Sequence, residues 1–238
     1  MKTIKPLFYI LPFILFACGD DIEETASLEL EFIHKSGNEN FEYGKTYTNK
    51  AGNEFSLRLW RTYISEIRLI KSDEEVYAIP ESYHLIEPTN ANKFRLNLDQ
   101  IPSGNYKAIR FYVGVVGDEN LSAEIVGDLD PSNNMAWNWT TGYKFIRMDG
   151  EFQDKEENRR GVVVHIGTEV NLKAQVFEFD QNINFAGDNN KLEFELDLLE
   201  AFQNPNTIDF EVLSDFQFNN EADLIGENYE EGFVKLIE

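Results

Sequence analysis

Alternation of apolar and polar positions dominates this chain. Leu28, Leu30 and Phe32 alternate with Glu29, Glu31 and Ile33, the period of two expected of a half-buried strand. Phe55, Leu57 and Leu59 continue the rhythm, and residues 63–70 (YISEIRLI) read as a further extended segment. Residues 83–86 follow, then Phe94, Leu96 and Leu98, while Ile109, Phe111, Val113 and Val115 form the clearest buried face. Residues 143–148, 162–166, 172–179 and 192–198 complete the predicted strands. Turn clusters separate them at Lys50-Ala51-Gly52-Asn53, Pro102-Ser103-Gly104-Asn105, Asp149-Gly150 and residues 186–190. Only residues 198–203 (LLEAFQ) suggest a short helix. Short, regularly punctuated strands without a sustained 3.6-residue period predict an all-β fold, a single-domain antiparallel β-sandwich. The tail after Asn204 reads as edge structure or loose chain.

The N-terminus departs from this pattern. MKTIKPLFYILPFILFAC places two lysines before a mostly apolar run too short for a comfortable transmembrane helix. It ends in Leu15-Phe16-Ala17-Cys18, which resembles the bacterial lipoprotein signal, with Cys18 as the lipid-attachment residue. The expected division is therefore a signal peptide at 1–17, an acidic tether at 18–25 and the β domain at 26–238. The tether, GDDIEET after Cys18, resembles that of exported lipoproteins of the Bacteroidetes type. The expected place is the cell envelope, as an outer-membrane lipoprotein, periplasmic or surface-exposed, touching membrane only through its anchor. Cys18 is the one cysteine, so the domain has no intrachain disulfide and no Cys-based metal or nucleophile site.

Charge and missing motifs narrow the function. Removal of Lys2 and Lys5 leaves 19 of the 21 basic residues against 43 acidic ones, a formal charge of −24. Such a surface repels nucleic acid. There is no GxSxG elbow, phosphate-cradling glycine loop, HExxH or CxxC, and a paired-carboxylate glycosidase has no supporting spacing. A non-enzymatic role is expected.

Three histidines remain as candidate ligands. His34 shares the parity of Leu28, Leu30 and Phe32, which turns it inward at a predicted sandwich rim. His165 lies in the apolar run GVVVHIGT, and His84, among polar neighbours, reads as structural. A single buried histidine is more often a satisfied structural group than a ligand. Two near strand ends in an exported chain without thiols point toward a metal. Imidazole suits copper and zinc, with Met, carboxylate or water completing the set. The two are 131 residues apart, so spacing does not join them.

The segment MAWNWTTGYKF concentrates aromatic residues. If it runs extended, Met135, Trp137, Trp139, Tyr143 and Phe145 share one face, as a core plug or as the aromatic wall of a pocket. A wider order of motifs surrounds it. Phe32-Ile33-His34 precedes Tyr47-Thr48-Asn49-Lys50-Ala51-Gly52, Phe55-Ser56-Leu57, Tyr63-Ile64-Ser65 and Ile67-Arg68-Leu69. Then come Pro102-Ser103-Gly104-Asn105-Tyr106, Ile109-Arg110-Phe111, Gly114-Val115 and the loop at 128–131. Trp137-Asn138-Trp139, Gly142-Tyr143-Lys144-Phe145 and His165-Ile166-Gly167 close the series.

This order, over roughly residues 26–180, resembles the MbnP-like family of exported β proteins named for the partner of methanobactin operons. The resemblance implies a copper-binding envelope protein with His34 and His165 at the family's histidine positions and Trp137 and Trp139 at its W-x-W. It also implies a di-haem peroxidase-like partner that oxidises a tryptophan to kynurenine. Met135 is added as a candidate soft ligand and Tyr143 as a pocket residue. Related copper proteins carry Trp-x-His, whereas Asn138-Trp139 stands here. Two readings follow: a lipid-anchored copper-binding protein, or a ligand-capture or protein-interaction lipoprotein with structural histidines.

Overall fold

A computed structural model describes residues 24–88, 93–121, 127–138, 141–217 and 219–237. The strands are β1 (Thr25–Ser36), β2 (Glu39–Asn40), β3 (Tyr47–Thr48), β4 (Glu54–Lys71) and β5 (Val76–Ala78). Next come β6 (Tyr83–Ile86), β7 (Lys93–Pro102), β8 (Gly104–Val113), β9 (Ala136–Asn138) and β10 (Gly142–Gln153). The last are β11 (Arg159–Gly167), β12 (Lys173–Phe185), β13 (Gly187–Asp197), β14 (Asp215–Phe216) and β15 (Val234–Ile237). A seven-residue helix, α1 (Ala222–Asn228), precedes β15. The expected helix at 198–203 is a 3-10 turn, Glu200–Phe202. Among the described residues no helix is long and apolar enough to cross a membrane.

The strands form a five-stranded sheet containing β15-β13-β1-β2, with β7 also on β1, and a ten-stranded sheet along β12-β8-β4-β10-β11-β14. Their inner faces enclose the main core. Phe32 stacks on Phe194 at 5.3 Å, and both meet Phe111 of the opposite sheet edge-on at 6.1 and 5.4 Å. The sandwich is mixed rather than wholly antiparallel, because β1 runs parallel to β13 and β11 to β14. Strands so distant in sequence need no hairpin between them, so parallel pairing is open to them, and Phe32 lies beside Phe194 and His34 beside Leu196.

Strand β4 spans 18 residues and joins the two segments predicted separately. Its inward face does not follow one parity. The β4–β10 register shifts between Asp149 and Gly150, where Leu57 pairs with Gly150 and Leu59 with Asp149. Trp60 therefore turns inward, fully buried, where simple alternation selects Leu59. Gly150 is required at this crossing, since a Cβ there would lie 2.1 Å from the Ser56 carbonyl oxygen. The tail after Asn204 is built into both sheets: β14 extends the larger, β15 the smaller, and α1 packs near β11. Buried Asn228 ties it down, its Nδ2 donating to the carbonyls of Ala201 at 2.9 Å and Asn206 at 2.8 Å.

Candidate functional site

The outward face of the larger sheet carries most of the polar chemistry. Along β10, Ile146 and Met148 enter the main core, while Tyr143, Phe145, Arg147 and Asp149 point the other way. Arg147 lies opposite Arg61 of β4 and His165 of β11, so all three share this outer face.

A second small core covers one end of it. Tyr63, Leu85, Val115, Leu129, Met135, Tyr143 and Phe145 are buried together beneath the chain between β8 and β10. The tyrosines also fasten that chain by their hydroxyls, Tyr63 donating to the Asp128 carbonyl at 2.7 Å and Tyr143 to Leu129 at 2.5 Å. Burial, with the nearby charge of Asp130, raises the Tyr143 pKa and keeps it a donor. Gly142 has φ of +83°, and a Cβ there would fall 2.5 Å from Asn120 Oδ1. The backbone turns there, and β9 folds back antiparallel on β10. The segment from Met135 is thus a hairpin, not one extended run, and this brings Met135 against Tyr143 rather than into a line with it.

Three cations hold the approach to Trp137. Arg61 Nη1 donates to the Asn133 carbonyl at 2.7 Å, Arg147 Nη1 to Asn134 at 3.0 Å and Lys144 Nζ to Ala136 at 3.0 Å. The Lys144 ammonium also stands 5.5 Å from the centroid of the Trp137 ring. Burial, then the positive charge of Arg147, pulls its pKa down to about 8, and Asp149 offsets only part of this. The half-buried Trp137 indole rests on Gly167 at the end of β11, where a Cβ would lie 2.4 Å from Trp137 Cζ3. Two residues back along β11, His165 Nε2 sits 2.9 Å from Asp149 Oδ1 and Nδ1 3.1 Å from Gln217 Oε1. Burial alone pushes the Asp149 carboxyl up, but hydrogen bonding to His165 and the Arg147 guanidinium outweigh it and hold its pKa below the usual value.

The predicted residues are therefore divided. Trp137 and His165 come to one face. His34 does not join them: its inward parity is as expected, but it is fully buried in the main core rather than at a rim, edge-on to Trp60 at 4.8 Å. Trp60 points inward and Arg61 outward, so the larger sheet separates His34 from His165. Met135 is fully buried in the second core, and Tyr143 packs edge-on against Tyr63 at 5.7 Å. Met135 and Tyr143 are packing residues here, not the lining of an open pocket. Trp139, Cys18, the signal peptide and most of the tether lie outside the described residues. Lys144, Arg147, Asp149 and Gln217 escaped sequence reasoning. The parity of Tyr143 and Phe145 extends to Arg147 and Asp149 and signals those two; nothing in the sequence signals Gln217.

Among the described residues no group of three or more His, Cys, Asp and Glu side chains is arranged to hold a metal. His165 fits as a single imidazole ligand, with Asp149 in the place of the carboxylate that usually orients a metal-bound histidine. His34 and Met135 do not fit as its partners. A cleft of about 640 Å³ lies between Glu200, Asn204 and the loop at Glu230-Glu231-Gly232, and no predicted site residue lines it.

The MbnP family model matches residues 25–222. A solved structure, MbnP from Methylosinus trichosporium, superposes with a TM-score of 0.58 at 16% sequence identity, covering 83% of this chain and 82% of that one. No curated protein matches the chain.

Proposed function

The chain belongs to the MbnP family, and on that premise we propose that it is an exported, non-enzymatic copper-binding protein. Its functional face is the outer surface of the larger sheet around Trp137 and His165, and Cys18 anchors it to the cell envelope. The observation that carries this reading is the seat of Trp137 on Gly167, two residues along β11 from His165. One strand end thereby joins the W-x-W segment to an imidazole buttressed by a carboxylate. His165 supplies one ligand, and because no group of three or more His, Cys, Asp and Glu side chains is arranged to hold a metal among the described residues, the remaining donors come from outside them or from a partner. A di-haem peroxidase-like partner acting on Trp137 or Trp139 belongs to the same reading.

Copper titration of the mature protein tests it. His165→Ala should abolish tight binding. His34→Phe, which keeps a ring beside Trp60 but removes both nitrogens, should retain it. Stoichiometric copper on His165→Ala overturns the assignment. Mass spectrometry of protein from its native host tests the modification, since kynurenine adds about 4 Da to a tryptophan peptide.

A second reading, a ligand-capture or protein-interaction lipoprotein with structural histidines, is favoured by one observation. Both ring nitrogens of His165 already face protein side chains. Copper absent from native protein and unbound by the purified chain would favour it.

A further inference from the structure

His165 is held from two distant parts of the chain. Asp149, on the neighbouring strand β10, takes Nε2; Gln217, 52 residues away, takes Nδ1. The Gln217 amide is oriented by its other end, where Nε2 donates to Asp215 Oδ2 at 3.3 Å. Its oxygen is thereby turned to the imidazole. With a carboxylate on one side and an amide oxygen on the other, both ring nitrogens face hydrogen-bond acceptors, and neither presents a lone pair to solvent. His165 is only 13% exposed.

The two contacts differ in how they are supported. Asp149 is 7% exposed and is held by Arg147 Nη2 at 2.7 Å, on a strand paired along both edges. Gln217 follows β14, a strand of two residues that pairs with β11 only at Val163 and Val164. Phe216 is buried and anchors that strand, so the Gln217 side chain can swing aside without drawing Phe216 from the core. Losing Gln217 exposes Nδ1 and leaves Nε2–H donating to Asp149, the arrangement in which metal-bound imidazoles are usually oriented; the proton that Nδ1 gives to the Gln217 oxygen then passes to solvent as a ligand takes the Nδ1 lone pair.

The geometry points to Gln217 as the gate of His165: the imidazole becomes available to an incoming ligand only when the Gln217 side chain is displaced. This rests on the proposed reading of His165 as the ligand-facing residue, and it makes Gln217 a determinant of how tightly that face binds. A competing hydrogen bond of this kind is worth about a tenfold change in affinity or accessibility.

The test uses the mature chain as wild type, Gln217→Ala, Gln217→Asn and His165→Ala, each checked for an unchanged thermal midpoint. Acylation by diethyl pyrocarbonate at neutral pH, followed on the His165 peptide by mass spectrometry, needs no metal. Gln217→Ala should react about tenfold faster at His165, Gln217→Asn to an intermediate extent, and His84 at the wild-type rate. A wild-type rate at His165 in Gln217→Ala overturns the gate. Competition for Cu(I) against a chromophoric chelator should show Gln217→Ala binding about tenfold tighter than wild type and His165→Ala not at all. Faster acylation with copper affinity unchanged from a wild type that does bind overturns the gate as well. Faster acylation with no copper bound by any variant keeps Gln217 as the cap and sinks the copper reading instead.

Discussion

Gly167→Ala examines the seat of Trp137 directly. A methyl group at this position would lie 2.4 Å from Trp137 Cζ3, 2.6 Å from Cη2 and 2.5 Å from the Tyr143 carbonyl oxygen. The indole can tilt away, but the carbonyl belongs to β10 and moves only with the sheet. Overpacking of this kind costs about 1–3 kcal/mol. Gly161, at the other end of the same strand, is a matched control, because a Cβ there meets nothing within 4 Å. Gly161→Ala should be neutral or stabilising by up to about 1 kcal/mol, through loss of unfolded-state entropy. The two variants should therefore differ by roughly 1–4 kcal/mol in urea unfolding followed by circular dichroism. Acrylamide quenching of tryptophan fluorescence should rise in Gly167→Ala alone, as Trp137 is lifted toward solvent. If Gly167→Ala is as stable as Gly161→Ala, with unchanged quenching, Trp137 is not seated on β11 and its link to His165 fails.

Two further outcomes follow from the charged groups. The folded state holds the Lys144 pKa at about 8, below its ordinary value, so between there and the unfolded value the unfolded chain binds more protons and stability rises with pH. The stability of wild type minus that of Lys144→Met should accordingly grow from pH 8 toward pH 10, by at most about 1.4 kcal/mol per pH unit; a flat difference refutes the burial argument. On the smaller sheet, fully buried Glu31 meets Arg95 at 2.7 Å and Lys191 at 3.3 Å. Glu31→Ala should cost about 1–3 kcal/mol in denaturant, with Glu31→Gln losing less because it keeps the shape and an acceptor.

Much of the fold was legible because strand alternation survives wherever the ladder is regular. Leu28, Leu30, Phe32 and His34 all face inward, and Ile109, Phe111 and Val113 line the opposite sheet. Legibility failed at register shifts. The crossing at Gly150 puts Trp60 rather than Leu59 in the core, and the turn at Gly142 converts an apparent aromatic stripe into a hairpin. Neither event alters composition; each depends on what a neighbouring strand offers. The candidate site suffered in the same way. His34 had a readable parity and His165 only the apolar run around it, and neither says which side of the other sheet a residue will meet. Gln217 was beyond reach, because its role arises from a two-residue pairing of β14 with β11.

The two clusters of buried residues divide the work of this protein. His34 and Trp60 sit with the sandwich core, where any change disturbs the packing of both sheets. Trp137 and His165 sit outside it, on a face assembled by chain that has little regular structure of its own. The carbonyls of residues 133, 134 and 136 are bonded by Arg61, Arg147 and Lys144 from the sheet below. In a chain of strongly acidic balance, three cations thus bond one short loop, Arg61 also pairing with Glu87 and Arg147 with Asp149. That bonding is costly, since Lys144 is desolvated for it. These bonds fix the position of the loop, and Lys144 sets it against the Trp137 ring. On the proposed reading, the chain that carries Trp137 and the segment carrying Gln217 can be varied while the sandwich stays intact.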